Sequence, residues 1–260
     1  MSKPMRVPVR SLGLMSGTSM DGIDVALVET DGEERVRRGP ATMVEYPREF
    51  RARLQEAIVA ARHLTDRTAR PGILAGVERE LTERHAEAAV RFIGDRMLQP
   101  SAIDVIGFHG QTVLHRPERR LTVQLGDGPR LARLTGIDVV HDLRAADCAA
   151  GGQGAPLVPV YHRALIARLP DRPVAVLNIG GVANVTYVGE NGELIAFDTG
   201  PGNALIDDWM QRHTGQPFDE KGAFAARGKA SDDHLAVYLK YSHFVALPPK
   251  SLDRNTFPLE

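Results

Sequence analysis

The sequence contains a single cysteine, and this scarcity excludes two classes of protein. Cys148 has no second cysteine with which to form an intramolecular disulfide, and no cysteine cluster is present to hold zinc or an iron–sulfur centre. Disulfide-stapled secreted domains and cysteine-ligated metal proteins are thereby excluded. The composition suits a reducing compartment, so we expect a cytoplasmic protein.

The sequence also lacks an excess of charge of either sign. Its 32 Lys and Arg residues balance 33 Asp and Glu residues, so no basic field is present to attract nucleic acid or an anionic membrane surface. The apolar stretch that begins at Leu12 is soon broken by Gly13, Ser16 and Gly17, so we expect neither a signal peptide nor a transmembrane helix. The partner is expected to be a small molecule, and the assembly stays open between a monomer and a homodimer.

Two stretches of the sequence repeat the same order of short apolar strands and glycine-containing turns. The predicted strands cover residues 11–15, 23–29 and 42–46 in the first stretch, and residues 174–179, 183–188 and 194–197 in the second. Helical periodicity is present over residues 49–62, 73–97 and 157–169, and residues 104–110 return to strand character. Two such meanders arise by chance, or they indicate two related α/β domains with a cleft between them.

A stretch of small residues separates the two halves of the chain. It runs from Ala149 to Pro156, contains three glycines and ends just before an apolar helical stretch. We expect the chain to cross between domains here. The N-terminal domain then covers residues 1–148 and the C-terminal domain covers residues 149–260.

The turn after the first predicted strand has the composition of a phosphate-binding loop. Its Gly17 and Gly22 permit close backbone approach, and its Ser and Thr hydroxyls can join the backbone N–H groups as donors to phosphate oxygens. The Gly-Lys-Ser/Thr ending of a P-loop is missing, and a strand rather than a helix follows, which excludes a dinucleotide fingerprint. The alternative is a tight polar hairpin that binds nothing.

This loop, Leu14–Gly22, resembles the first phosphate-binding loop of the anhydro-N-acetylmuramic acid kinases. Further segments that resemble motifs of this family, in the same order, are residues 107–112, 122–126, 151–159, 177–181 and 197–203. The resemblance implies an actin-like ATPase fold, an α/β architecture with two ribonuclease-H-like domains that close on ATP and a sugar. It also implies an ATP- and Mg²⁺-dependent kinase of peptidoglycan recycling, which hydrolytically opens 1,6-anhydro-N-acetylmuramic acid and phosphorylates it to N-acetylmuramic acid 6-phosphate.

The resemblance assigns the nucleotide to two glycine-containing loops. The implied ATP-binding residues are Ser16, Gly17, Thr18, Ser19, Met20, Asp21, Gly22, Ile23, Asp24, Gly180 and Gly181. A carboxylate beside this loop would repel phosphate unless it serves Mg²⁺. Many proteins of this fold carry a metal-binding Asp where Met15 stands here, so the choice of carboxylate stays open.

The sugar-binding residues implied by the resemblance follow a strand or lie near the domain crossing. They are His109, Gln111, Thr112, Arg144 and Asn203. A lone histidine such as His109 also suits a structural role. Ala145 and Ala146 stand where other family members carry further arginines, which leaves Arg144 as the candidate for the lactyl carboxylate. Asn203 is also expected to cap the helix that follows it.

Asp198 is the candidate catalytic residue. It follows the predicted strand 194–197 and precedes Gly200-Pro201-Gly202, so we expect its carboxylate to be exposed at a strand end. A structural Asp at such a place would stabilise the turn. The resemblance implies a general base that takes a proton from the water attacking the anomeric carbon, after which the freed O6 receives the γ-phosphoryl group.

The C-terminal part of the sequence lacks one feature of the family. Members continue with a Gly-Gly-Gly adenosine loop and closing helices, and no Gly-Gly-Gly occurs in this sequence. We therefore expect an incomplete second domain. Two alternatives to the kinase stay open: an inactive truncated sugar-binding fragment, and an actin-like ATPase or kinase for another sugar.

Overall fold

A computed structural model describes residues 7–17, 19–253 and 256–257. The chain divides into two compact units, Met1–Pro170 and Asp171–Glu260. The division lies after the stretch of small residues at which the sequence suggests a crossing. Residues 149–170 belong to the first unit, where the helix Pro159–Leu165 contacts the strand Val36–Glu45.

The first unit is built on a mixed β-sheet. Its strands are β1 (Val9–Ser16), β2 (Gly22–Thr30), β3 (Val36–Glu45), β4 (Val105–Arg116), β5 (Leu121–Leu125) and β6 (Val139–His141). The order is β3-β2-β1-β4-β5, and β6 pairs with the first half of β4. The pairs β1–β2, β2–β3 and β4–β5 are antiparallel, whereas β1–β4 and β4–β6 are parallel. The α/β class expected from the sequence is confirmed, and the C-terminal end of β1 lies beside Gln111 in the middle of β4.

Helices on this sheet supply the rest of the core. They are α1 (Arg48–Ala61), α2 (Leu74–Asp95), α3 (Gly128–Thr135), α4 (Ala145–Ala149) and α5 (Pro159–Leu165). Leu12 and Leu14 alternate along β1 toward the buried face, and Phe50 of α1 and Leu81 of α2 pack in the same apolar core. Burial of these large side chains provides the main driving force for folding this unit. Within the described residues, no helix is long and apolar enough to cross a membrane.

The second unit contains an antiparallel sheet of three strands in the order β7-β8-β9. These are β7 (Val174–Ile179), β8 (Val182–Val188) and β9 (Leu194–Pro201), followed by α6 (Asn203–Thr214), α7 (Asp232–Tyr238) and α8 (Ser242–Val245). The expectation that Asn203 caps α6 is wrong. Gly202 occupies the cap position and has no side chain with which to cap the helix. Asn203 is the first residue of α6, and its Nδ2 donates to the Ile179 carbonyl oxygen at 3.2 Å.

Candidate active site

The loop between β1 and β2 is fastened to β4 by a buried glutamine. Ser16 Oγ donates to Gln111 Oε1 at 2.6 Å, and Gln111 Nε2 donates to the Gly17 carbonyl oxygen at 3.2 Å. Tyr46 adds a bond from its hydroxyl to Ser16 Oγ at 3.0 Å. Gln111 is fully buried. Its side chain therefore holds the loop in place, a role that differs from the direct sugar contact implied by the resemblance.

The loop itself is a tight turn whose inner residues belong to the core. Met20 N donates to the Gly17 carbonyl oxygen at 3.1 Å, and Met20 adopts a left-handed φ of 54° while its side chain is buried. Ile23 is buried beside it. Gly22 is required for packing, because a Cβ there would lie 2.4 Å from the Val44 carbonyl oxygen. Thr18, one of the implied ATP ligands, lies outside the described residues.

Two carboxylates stand next to this turn. Ser19 Oγ donates to Asp21 Oδ1 at 2.7 Å. Desolvation by the surrounding protein, and secondly the charge of Asp21, raise the pKa of Asp24. Hard oxygen ligands of this kind suit Mg²⁺, which commonly takes one or two carboxylates together with substrate phosphates. No cluster of three or more His, Cys, Asp or Glu side chains able to hold a metal is found in the described part of the chain.

His109 and Arg144 form a hydrogen-bonded pair in the first unit. Arg144 Nε and Nη2 lie 3.0 and 2.9 Å from His109 Nε2, and His109 Nδ1 lies 2.8 Å from the Gly110 carbonyl oxygen. Because arginine can only donate, Nε2 is the acceptor and Nδ1 carries the proton. Burial, and then the Arg144 charge, lower the pKa of His109 to about 4. His109 is therefore a neutral imidazole that orients Arg144.

Arg144 also holds the glycine-rich segment that follows α4. Its Nη1 donates to the Gly154 carbonyl oxygen at 2.6 Å, and Gly154 N donates to Asp147 Oδ2 at 2.6 Å. Gly154 has a φ of +64°, and a Cβ there would lie 2.5 Å from Cys148 Sγ. Sequence reasoning missed Asp147. The signal that could have found it is its position between Arg144 and the segment 151–159, which resembles a family motif.

A polar pocket of about 230 Å³ opens next to His109. Its wall includes the buried Gln124, whose Nε2 donates to Thr112 Oγ1 at 3.3 Å and to Thr122 Oγ1 at 2.8 Å. The Gln124 Oε1 atom is buried without a hydrogen-bond partner. Two rim arginines form ion pairs with rim carboxylates, in the pairs Arg67–Asp142 and Arg70–Glu78. These ion pairs balance the charge of the rim, so the lining favours a polar ligand that carries few charges.

Asp198 lies inside β9 and is only 6% exposed, so the expectation of an exposed carboxylate at a strand end is wrong. The strand continues to Pro201, because a bulge between Ala183 and Asn184 lets β8 keep pairing with it. The chain near α8 also covers the residue. The Leu252 N–H donates to Asp198 Oδ2 at 2.8 Å, and His243 Nε2 lies 2.7 Å from the Asp198 carbonyl oxygen.

Sequence reasoning missed His243 and Leu252, and a third residue of the same segment also binds this strand. Asp198 N donates to the Lys250 carbonyl oxygen at 3.1 Å. Lys250 Nζ in turn donates to the His243 carbonyl oxygen at 2.7 Å, which closes the segment on itself. These residues lie 45 to 54 positions from Asp198 in the sequence, and no local sequence pattern predicts the contact.

The Gly180-Gly181 turn receives the beginning of α6. Asn203 N donates to the Gly180 carbonyl oxygen at 2.7 Å, and Gly202 N donates to the Gly181 carbonyl oxygen at 3.0 Å. A Cβ on Gly202 would lie 2.2 Å from that Gly180 oxygen. The structure thus brings Gly180, Gly181 and Asn203 together, as it brings the β1–β2 loop to Gln111 in the other unit.

Comparisons with known proteins identify the family. A family model described as anhydro-N-acetylmuramic acid kinase matches residues 9–260. Proteins of that name are 57% identical over 248 residues in Bradyrhizobium diazoefficiens and 55% identical over 261 residues in Methylobacterium nodulans. The matches cover 95% and 96% of this chain, and 68% and 70% of those relatives.

Solved structures resemble the chain more distantly. The ethanolamine utilization protein EutJ from Carboxydothermus hydrogenoformans is 14% identical, with a TM-score of 0.32 over 86% of this chain and 61% of that one. A reductive activator for a corrinoid, iron–sulfur protein is 12% identical, with a TM-score of 0.39 over 79% of this chain and 32% of that one. Similarity this low supports no conclusion about function. The family model over residues 9–260 and the relatives of more than 50% identity show that the chain belongs to the anhydro-N-acetylmuramic acid kinase family.

Proposed function

We propose that this protein is an ATP-dependent sugar kinase that opens the ring of 1,6-anhydro-N-acetylmuramic acid and yields N-acetylmuramic acid 6-phosphate. The family match over residues 9–260 carries this proposal. It favours the kinase over an inactive sugar-binding fragment and over a kinase for a different sugar. The product would enter peptidoglycan recycling in the cytoplasm.

The nucleotide is assigned to the β1–β2 loop and the Gly180-Gly181 turn. Support for the first comes from its exposed Ser19 and from the bonds of Ser16 and Gln111, which fix the loop before a phosphate arrives. Preorganised donors stabilise phosphate charge without having to rearrange during the reaction. Asp21 and Asp24 are the residues that would hold Mg²⁺, which when bound would neutralise charge on the phosphate oxygens.

The sugar is assigned to the region around Thr112, His109 and Arg144. The charge-balanced pocket supports this, because a sugar presents hydroxyl and amide groups rather than several charges. Arg144, oriented by neutral His109, supplies the positive charge for the single lactyl carboxylate. Asn203, at the first turn of α6, is proposed as a further sugar contact.

Asp198 is proposed as the general base. It takes one proton from a water molecule whose oxygen bonds to the anomeric carbon C1, while the C1–O6 bond breaks. The electrons of that bond stay on O6, which receives the γ-phosphoryl group of ATP. Burial of Asp198, and the bond from the Leu252 N–H, support a carboxylate held in one orientation.

Each unit is proposed to be a ribonuclease-H-like domain of the actin-like ATPase fold. In the first unit, the antiparallel strands β3-β2-β1 are followed by the parallel neighbours β4 and β6, which supports that topology. In the second, an antiparallel meander followed by a helix supports it.

Isotope labelling tests the proposal directly. The protein is incubated with ATP, Mg²⁺ and 1,6-anhydro-N-acetylmuramic acid in ¹⁸O-labelled water, and the products are analysed by mass spectrometry. We expect a phosphosugar with one ¹⁸O at C1 and none in its phosphate. Unlabelled N-acetylmuramic acid 6-phosphate kept in the same water for the same time measures exchange at C1. Label in the phosphate, or no phosphosugar, would contradict the proposal.

A further inference from the structure

One buried oxygen of the second unit has no hydrogen-bond partner. It is Asn184 Oδ1, on β8. Buried polar atoms are nearly always hydrogen-bonded, because an unpaired one has lost its hydrogen bonds to water and gained none from the protein, which costs free energy. An acceptor of this kind indicates that a donor belongs beside it during function.

The position of Asn184 narrows the identity of that donor. Asn184 is directly opposite Asp198 in the antiparallel pairing of β8 with β9. Residues paired in this way project from the same face of the sheet, with Cβ atoms about 4.5–5.5 Å apart. The unpaired amide oxygen and the carboxylate are thus neighbours, and a donor small enough to reach both would lie between their side chains.

A water molecule about to attack a sugar has two O–H groups to place. A general base accepts one of them, and the second O–H needs an acceptor that will not take its proton. An amide oxygen meets this requirement, because it accepts hydrogen bonds but does not become protonated near neutral pH. With both O–H groups held, the lone pair of the water oxygen is left to face the anomeric carbon.

We propose that Asn184 is a catalytic residue that holds the attacking water together with Asp198. This inference rests on the proposed function. In the reaction the water oxygen bonds to C1, the C1–O6 bond breaks, and one proton passes to Asp198. The other hydrogen stays on the oxygen as the new C1 hydroxyl, still donated to Asn184 Oδ1.

Two substitutions and a control test this assignment. Asn184→Leu fills the space with an apolar group of similar size, whereas Asn184→Ala leaves room in which a second water can accept the hydrogen bond. Thr186→Val is the control, because Thr186 is a fully buried polar residue two positions along the same strand and on the same face. The full chain is used throughout, with kcat, both KM values and the Tm measured for each variant.

We expect kcat to decrease about 100-fold in Asn184→Leu, the order expected when an attacking group is misplaced, with little change in either KM. Asn184→Ala should retain more activity than Asn184→Leu although it is the less stable of the two, because it lacks packing atoms. Thr186→Val should lower Tm and keep kcat. Activity that follows Tm across the three variants, or a normal kcat in Asn184→Leu, would overturn the assignment. If the unsubstituted protein forms no phosphosugar, the proposed function fails instead.

Discussion

Asp198 and Asp219 are carboxylates of the second unit that both accept backbone N–H groups, yet their surroundings differ. Asp219 accepts from Phe224 N at 2.8 Å and Ala225 N at 2.9 Å, and these two bonds lower its pKa. It stabilises a local turn. Asp198 is buried within a strand opposite Asn184, and its partner Leu252 is distant in sequence. The same substitution at each of these two carboxylates therefore distinguishes an effect on catalysis from an effect on stability.

Replacement of Asp198 by Asn should abolish most activity without abolishing binding. The amide keeps the shape of the carboxylate and still accepts from the Leu252 N–H, but it cannot take a proton from water. General-base catalysis contributes roughly 10²- to 10⁴-fold to the rate, so we expect kcat to fall by at least that factor. Steady-state kinetics and calorimetric titration of the sugar provide the measurement. Asp219→Asn should lower Tm with kcat retained, and a near-normal kcat in Asp198→Asn would refute the assignment.

At the residue scale, the sequence supports proposals about individual side chains, but it does not predict their surroundings. The turn expected at Gly200-Pro201-Gly202 and the motif around it pointed to Asp198, but Gly200 and Pro201 continue β9. This pairing and the contacts from residues 242–252 depend on tertiary structure. The same limit applies to Gln111. Its type suited a sugar contact, whereas its fully buried position and its bond to Ser16 are properties of the assembled sheet.

Two glycines at the turn of the β1–β2 hairpin have different physical requirements. A Cβ on Gly22 would approach the Val44 carbonyl oxygen of β3 to 2.4 Å, so the strands could not keep their spacing. Among the described residues, a Cβ on Gly17 would meet Ser19 Oγ alone, at an ordinary 3.6 Å. Gly22 is thus needed by the sheet, and Gly17 is dispensable for folding and free to serve a ligand.

This difference predicts opposite results for two alanine variants. Gly22→Ala should lower the free energy of unfolding by about 1–3 kcal/mol through overpacking. Gly17→Ala should change it by less than about 0.5 kcal/mol, as for an unstrained surface site, but should raise the KM for ATP because the methyl group crowds the phosphates. Chemical denaturation and steady-state kinetics measure the two effects. An unchanged KM in folded Gly17→Ala would remove Gly17 from the nucleotide site.

Elements with a strong apolar pattern were predictable, and those shaped by their partners were not. The short apolar stretch 11–15 predicted β1, and the long periodic stretch 73–97 predicted α2. The third strand was expected only over residues 42–46, but β3 covers Val36–Glu45. Most of β3 is exposed, and it includes Arg37 and Arg38, so its sequence has no hydrophobic pattern that indicates a strand. The first part of β3 is a strand because it pairs with β2.

At the scale of the whole molecule, one fully buried histidine, His85, and one partly buried histidine, His109, connect stability to pH. Burial lowers the pKa of His85 to about 4, and burial followed by the Arg144 charge does the same for His109. Both belong to the first unit. His85 packs against Phe108, with ring centroids 4.9 Å apart, and its Nδ1 lies 2.8 Å from the Leu81 carbonyl oxygen. Protonation would place a charge in this apolar core.

The sign of the effect follows from proton linkage. The unfolded chain takes up protons on these histidines near pH 6.5, whereas the folded chain resists until about pH 4. The contribution of these histidines to stability is therefore fully present above pH 6.5 and declines as the pH falls from 6.5 to 4. Below pH 4 these two groups cause no further loss of stability. Each shift is equivalent to about 3 kcal/mol, from 1.36 kcal/mol per pKa unit.

Thermal unfolding of the full chain between pH 7.5 and pH 4, followed by circular dichroism, should show this decline. In His85→Gln, an amide can still donate to the Leu81 carbonyl oxygen but cannot titrate, so the loss of stability over this range should be smaller by about 3 kcal/mol. Thr82→Val, a fully buried substitution in the same helix, should lower Tm at every pH and keep the original slope. An identical pH dependence in His85→Gln and the unsubstituted protein would show that His85 is not held neutral by the fold.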